Sequence, residues 1–247
     1  MRIAIVGRGR LGRTLAPLLS AAGHAVALRA HGDPSPLEVD AVLLTVPDAA
    51  VAEVARGIPA ELPVLHTSGA LGLDPLAGHP HAGSLHPLMT FPGPEIAVPD
   101  LAGVPAAVAG DPRARAIAEA LARDLGLEPF EVPGDRRLYH AAAVMAGNFA
   151  TVLLAEAAEV LAAAGVDRDR AVGLLAPLAL QSIRNAVHGP ADALTGPIAR
   201  GDTRTLDAHR AALGDFGLDA TRVLYDTLVK HAVRLRPPPV RGGPSDR

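Results

Sequence analysis

The 247-residue chain has no cysteine, no tryptophan and a single lysine, Lys230. Without cysteine there are no disulfides, no thiolate metal ligands and no cysteine nucleophile. That fits a reducing compartment, and a cytoplasmic location is expected. Aromatic residues make up 2% of the chain and the formal net charge is −3. A nucleic-acid binder needs a basic surplus for phosphates and rings on which bases stack, so no nucleic-acid partner is expected. No Gly-x-Ser-x-Gly elbow is present, which argues against acyl transfer on an activated serine. His79, His81 and His86 come nearest to a metal cluster. Gly78, Pro80 and Gly83 make their stretch a loop, however, and no carboxylate lies within it, so no metal is expected. The apolar run before Gly7 is too short for a secretory leader.

Glycine, by contrast, is abundant, and three glycines fall where chemistry needs them. Ile3-Ala4-Ile5-Val6 runs directly into Gly7-Arg8-Gly9-Arg10-Leu11-Gly12. This reads as a buried strand, a glycine turn and a helix start, with the helix over Arg10 to Ala22 and a second strand from Ala25. In that context Gly7 permits the tight turn and Gly9 admits a pyrophosphate against the backbone. Gly12 lets the helix pack on the strand, and the free N–H groups and dipole of the helix favour the phosphates. About 20 residues further on, a carboxylate would accept bonds from an adenosine ribose. Arg29 and His31 stand there instead. A guanidinium suits a 2′-phosphate, which predicts NADP(H); the other reading leaves Arg29 in solvent and lets Asp33 reach the ribose.

Up to about residue 133 short apolar runs alternate with helical stretches: Ile3–Val6, Ala25–Leu28, Ala41–Val46, Val64–Leu65, Gly83–Leu85, Val104–Ala109 and Glu128–Val132. The pattern predicts an α/β fold with a doubly wound, mostly parallel sheet. Val46 and Pro47, ending the third run, join the expected coenzyme-binding set, and Asp48 reads as a cap for a helix over Ala49–Arg56. Asp111-Pro112 opens a helix that Gly126 closes. The connection from Ala30 to Val39 is short and holds two prolines, so the usual crossover helix is expected to be missing or reduced to a turn. From Gly134 onward the pattern is all helix. Asp135 opens a long helix to Gly165, Asp167 caps another to about Val187 with Pro177 inside it, and Asp202 and Asp219 cap two more. Three regions are expected: a dinucleotide-binding domain over 1–133, a smaller all-α domain over 134–236, and a disordered tail over 237–247. Leu138 to Ala155 holds no Asp, Glu, Lys or Arg for 18 residues and reaches the length of a membrane span. It contains His140 and Asn148 and continues into Glu156 and Glu159, so the reading is a buried central helix and no membrane partner.

A dinucleotide-binding sheet followed by a helical domain resembles the superfamily of 6-phosphogluconate dehydrogenase, ketopantoate reductase and pyrroline-5-carboxylate reductase. Four stretches sharpen the resemblance: His66-Thr67-Ser68-Gly69-Ala70, Gly83-Ser84-Leu85-His86-Pro87-Leu88, Tyr139-His140-Ala141-Ala142-Ala143 with Asn148, and Leu194-Thr195-Gly196-Pro197-Ile198-Ala199-Arg200-Gly201-Asp202. Together they look like a bacterial family of Rossmann-like proteins with a C-terminal domain of unknown function. The resemblance implies a Rossmann sheet and, from members thought to reduce ketopantoate, an oxidoreductase acting on a small 2-oxo acid. Many dehydrogenases of the superfamily carry a Lys and an Asn one turn apart on the interdomain helix. Here Asn148 fits the Asn position and Val144 stands where the Lys would be, so the proton must come from elsewhere.

Histidine is the natural substitute. His140 precedes Asn148 by two helical turns, about 80° apart around an unbroken helix. His66 and His86 are its rivals, each after an apolar run where such sheets open their ligand crevice. The expected catalytic set is His140, Asn148, His86 and Ser68. His66, Thr67 and Ser68 offer polar groups to the substrate. Arg200 is the expected clamp for a substrate carboxylate, against the plainer reading of a helix-to-helix turn capped by Asp202. The predicted activity is NADP(H)-dependent reduction of a ketopantoate-like 2-oxo acid by a homodimer joined through its helical domain. An imine reductase of the pyrroline-carboxylate type and a non-catalytic NADP(H)-binding sensor are the alternatives.

Overall fold

A computed structural model describes residues 1–33 and 37–235. The tail expectation for 237–247 and the middle of the 30–39 connection lie outside the described residues. The chain divides into two compact units, one spanning Met1–Asn148 and a second beginning at Phe149.

The first unit is built on a seven-stranded sheet. Its strands are β1 (Arg2–Val6), β2 (Ala25–Arg29), β3 (Ala41–Leu44), β4 (Val64–His66), β5 (Ala82–Pro87), β6 (Pro105–Gly110) and β7 (Glu128–Phe130), in the order β2-β1-β3-β4-β5-β6-β7. Every neighbouring pair is parallel except β5 with β6. The helices of this unit are α1 (Arg10–Ala21), α2 (Val51–Arg56), α3 (Pro112–Asp124) and α4 (Arg136–Ala146). The unbroken apolar run of β1 follows from burial on both faces. Ile3 and Ile5 pack with Leu15 and Leu19 of α1, whereas Ala4 and Val6 pack with Val51 and Val54 of α2. β1 has β2 on one side and β3 on the other. That reversal of strand order opens a crevice at the carboxyl ends of β1 and β3.

Several details depart from the sequence reading. Asp48 starts a 3-10 turn (Asp48–Ala50) before α2 and makes no cap bond; its carboxylate accepts from the Ser68 hydroxyl at 2.8 Å instead. Asp111 caps α3 as expected, accepting from the Arg113 N–H, and Gly126 follows the helix with φ of 79°. Asp135 likewise caps α4. The long helix expected from Asp135 to Gly165 is interrupted at Gly147, where φ is −100° and ψ −70°. It resumes as α5 (Asn148–Ala163). The unit boundary therefore falls within this helical stretch and not at residue 133, leaving α4 with the sheet.

The second unit holds α6 (Arg168–Ala186), α7 (Pro190–Ala193), α8 (Gly196–Arg200), α9 (Thr203–Asp215) and α10 (Asp219–Leu235) together with α5. Asp167 and Asp202 cap α6 and α9. Asp219 is not a cap but the first residue of α10, its carboxylate accepting from Arg222. The hydrophobic residues buried among the described part of this unit are Ala158, Ala171, Leu206, Leu213 and Val229. An apolar hollow of about 470 Å³ lies among α5, α9 and α10, lined by Leu153, Val160, Leu213, Phe216, Leu224 and Leu228. The buried central helix expected over Leu138–Ala155 is not found: α4 and α5 together are long and apolar enough to cross a membrane, yet only 6% of that window is buried within the chain. Alanine-rich helices bury little where only part of their surface is covered: Ala158 and Ala171 are buried, but Phe149 and Val152 of α5 and Leu174, Leu178 and Ile183 of α6 stay more than half exposed.

Candidate active site at the carboxyl edge of the sheet

The three glycines divide their roles as steric requirements demand. Gly7 has φ of 125°, and a Cβ there would lie 2.6 Å from the Thr45 carbonyl oxygen. A Cβ on Gly12 would come within 2.0 Å of the Gly7 carbonyl oxygen, so only glycine lets α1 sit this close to the turn. Gly9 has open space around it. Two glycines are thus fixed by the protein's own packing, and the third leaves a clear approach to the start of α1. That is a cradle a side chain would fill, and it fits a dinucleotide pyrophosphate. Arg8 and Arg10 are exposed on either side of Gly9. Thr45, which the sequence reading missed, secures the turn by donating its hydroxyl to the carbonyls of Gly7 and Val6, at 2.9 and 3.3 Å. Val46 and Pro47 follow it at the end of β3.

At the end of β2, Arg29 is nearly buried and paired with Asp33 at 3.0 Å. Both line a hollow of about 180 Å³ with His31, Leu37, Glu53 and Ile58. The two groups weighed for the ribose end thus meet each other: the guanidinium for a 2′-phosphate and the carboxylate for a diol.

The second cluster gathers at the ends of β4 and β5. His66 is fully buried and has no free ring nitrogen: Nε2 lies 2.9 Å from the Gly72 carbonyl and Nδ1 accepts from the Ser68 N–H at 3.2 Å. A carbonyl can only accept, so Nε2 carries the proton and the tautomer follows. Burial lowers the pKa of this imidazole below its ordinary value. Thr67 donates to the Leu44 carbonyl, and Ser68 donates to Asp48 while accepting from the N–H groups of Ala70 and Leu71. The hydroxyls expected to orient a substrate are therefore engaged in shaping their own loop.

His86 and His140 come together. Their rings are 6.2 Å apart, edge to face, and both press against Gly69. A Cβ on Gly69 would lie 2.6 Å from His140 Cδ2 and 2.7 Å from His86 Nε2. Nδ1 of His86 is 2.7 Å from the Tyr139 hydroxyl. Burial, reinforced by the nearby Arg136 and His140, depresses the His86 pKa to about 4, so its imidazole is neutral at pH 7. Burial raises the Tyr139 pKa. Arg136, Tyr139 and His140 share one face of α4 through their three- and four-residue spacing. Arg136 donates to the Ser68 carbonyl at 3.0 Å and lies over the Tyr139 ring. Tyr139, Arg136 and this use of Asp48 are functional features that the sequence expectations missed, although Tyr139 stands beside His140 in one of the four family-like stretches. The i, i+3, i+4 spacing at the start of α4 was the available signal.

Asn148 is exposed beyond the break at Gly147 and stands outside this hydrogen-bonded cluster. Arg200 is exposed at the end of α8 in the second unit, followed by the left-handed Gly201 and the capping Asp202. Among the described residues no group of three or more His, Asp or Glu could hold a metal ion.

A mostly parallel sheet with a glycine-lined switch point, continued by a helical region, defines a Rossmann-like protein. Residues 104–232 match the domain of unknown function DUF2520, and the chain belongs to that family. Solved structures of the same fold include a candidate NADP oxidoreductase, BF3122, from Bacteroides fragilis. It is 24% identical with a TM-score of 0.79, and the alignment covers 94% of this chain and 98% of that one. Protein TM1727 from Thermotoga maritima is also 24% identical, with a TM-score of 0.72 over 94% of this chain and 97% of that chain. A 1-pyrroline-5-carboxylate reductase from Streptococcus pyogenes aligns at 18% identity and a TM-score of 0.64, over 95% of this chain and 98% of that one. A glycerol-3-phosphate dehydrogenase [NAD(P)+] from Gloeobacter violaceus is 37% identical over 124 residues, 43% of this chain and 40% of that protein. The match thus spans less than half the length of that curated relative.

Proposed function

We propose that this chain is a nicotinamide-dinucleotide-dependent oxidoreductase that reduces a small 2-oxo acid, with NADP(H) as its coenzyme. The observation that carries the reading is the glycine triad: two glycines locked by packing and one left open at the start of α1. The printed names of the similar proteins, NADP oxidoreductase and pyrroline-carboxylate reductase among them, support the same reaction class. The bound coenzyme supplies the hydride. The main-chain N–H groups at the start of α1 hold its phosphates, helped by Arg8 and Arg10. Arg29, at the end of β2, favours the 2′-phosphate, with Asp33 as its present counter-ion.

His140 delivers the proton to the substrate oxygen. His86 is unsuited to that role as an imidazolium, since its depressed pKa leaves little of that form at neutral pH. Neutral and bonded to Tyr139, it fixes the wall against which His140 packs. The protein works as a homodimer through its helical unit, whose exposed apolar faces call for a stoichiometric partner. His140, Asn148 and the Glu156 that accepts from Thr221 make α4 and α5 a poor match for lipid.

The test is a screen of NADPH and NADH oxidation over 2-oxo acids and cyclic imines, with His140→Ala beside the wild type. Turnover of a 2-oxo acid is expected, reduced more than tenfold in the variant with NADPH affinity nearly unchanged. Turnover confined to imines would replace the substrate class, and tight NADPH binding without any turnover would favour a sensor. Absence of binding to either coenzyme would end the reading.

A further inference from the structure

Two adjacent arginines open α4 in opposite circumstances. Arg137 is exposed and paired with Asp135. Arg136 is half-buried, and among the described residues no carboxylate pairs with it. The other arginines of the first unit that lack a carboxylate, Arg8, Arg10, Arg56 and Arg113, are exposed to water. Arg136 is only partly so, and burial lowers its pKa. Among the described residues its hydrogen bond runs from Nη2 to the Ser68 carbonyl, and its Nε is buried without a partner. A half-buried guanidinium with no counter-ion and an unused N–H is complementary to an anion, and a planar carboxylate takes two parallel donors from such a fork.

Its place in the fold says which anion. Ser68 follows β4 and His86 lies on β5, and β3 separates β4 from β1 and its glycine turn. At about 4.8 Å per strand, the ends of β4 and β5 stand roughly 10–14 Å from the pyrophosphate cradle. That is too far for Arg136 to share the phosphates, and it is the side on which Tyr139, His86 and His140 gather.

We propose that Arg136 is the carboxylate-binding residue of this site, taking the acid group of the substrate beside Tyr139 and the two histidines. The assignment rests on the oxidoreductase reading and moves the clamp from Arg200 to the sheet unit. The ligand class is a small monocarboxylate or dicarboxylate whose reactive carbon is next to the acid group, which brings that carbon against His140.

Calorimetry of the full chain with oxalate, which cannot be reduced, tests this directly. Oxalate is expected to bind the wild type and Arg200→Gln alike, and to bind Arg136→Gln at least tenfold more weakly. Arg136→Lys, which keeps the charge and loses the fork, is expected to fall between them. Arg136→Gln also removes the bond to Ser68 and could disturb the loop. Arg136→Ala with millimolar guanidinium therefore provides the second measurement, and restored oxalate binding is expected. Four outcomes would each overturn the proposal: no oxalate binding by the wild type, unchanged binding in Arg136→Gln, a loss confined to Arg200→Gln, or inorganic phosphate binding as tightly as oxalate. NADPH titration of the same samples keeps the two readings apart. Oxalate binding without NADPH binding would sink the oxidoreductase reading alone; the reverse would sink the carboxylate assignment alone.

Discussion

The two units bury apolar side chains to very different degrees. In the first, residues from Ile3 to Leu127 close over both faces of the sheet, and Ile3, Ile5, Leu15, Leu43, Leu65 and Leu121 have no exposed surface. In the second, Phe149, Val152, Leu174, Leu178, Ile183, Phe216 and Val223 are all more than half exposed, although the helices that carry or adjoin them are well formed, α6 and α9 being capped by Asp167 and Asp202. Short-range signals therefore suffice to make helices in the second unit, and long-range burial is what it lacks. Helices owe most of their stability to a packed apolar face, so the two units should fail in different ways when perturbed.

The largest effect is expected where the first unit is tightest. Gly12→Ala puts a methyl group 2.0 Å from a backbone oxygen that cannot swing aside. The loss should be about 4 kcal/mol or more, lowering the melting temperature by roughly 8–16 °C. Gly9→Ala sharpens the contrast. Its φ of −73° suits any residue and its surroundings are open, so the melting temperature should hold while NADPH affinity falls. If Gly9→Ala binds NADPH normally, the cradle is not where the phosphates sit.

That division of labour among glycines was legible in the sequence, because strand, turn and helix are contiguous there. The sheet was legible for the same reason, each strand being a short apolar run bounded by its own punctuation. The antiparallel pairing of β5 with β6 was not, since direction depends on the route of the connection. The site was legible in part. His86 and His140 were singled out, but nothing local shows that they meet over Gly69, a contact made across residues far apart in the chain. His66 carries the same local signature as His86, a histidine after an apolar run. Only the fold shows that its ring turns into its own loop and bonds backbone on both sides. Arg136 was passed over because arginine at the start of a helix is ordinary; its meaning comes from being half-buried without a counter-ion.

A smaller effect would test the second unit. Leu228 is 41% exposed and lines the apolar hollow among α5, α9 and α10. On the isolated chain, Leu228→Glu should be nearly neutral, as surface changes usually are. If a second copy covers this face, the same change strands a charge in an apolar interface and should cost about 3 kcal/mol. Analytical ultracentrifugation is expected to show a wild-type dimer and a variant that dissociates, with a wild-type melting temperature that rises with protein concentration. A monomeric wild type, or a dimer indifferent to Leu228→Glu, would remove the second copy as the explanation for these exposed faces.

The smallest effect concerns acid, and it belongs to the first unit alone. His86 titrates near pH 4 in the fold against an ordinary value of 6.5, because burial and the neighbouring Arg136 and His140 disfavour its cationic form. The unfolded chain therefore takes up this proton first as pH falls. The contribution of His86 to stability is complete above about pH 6.5 and is lost progressively down to about pH 4. The loss is on the order of 2 kcal/mol, with allowance for the solvent that still reaches the ring. His86→Gln removes the titrating group and should flatten the fall in melting temperature between pH 7 and pH 4.5 by several degrees, whatever the protein concentration. Leu228→Glu should leave that slope as it is, since no part of the α5, α9 and α10 hollow adjoins His86 in sequence or in the sheet. An equal slope in wild type and His86→Gln would mean that the ring takes its proton without cost, and that the wall built by Tyr139 and His86 is more open to water than its burial indicates.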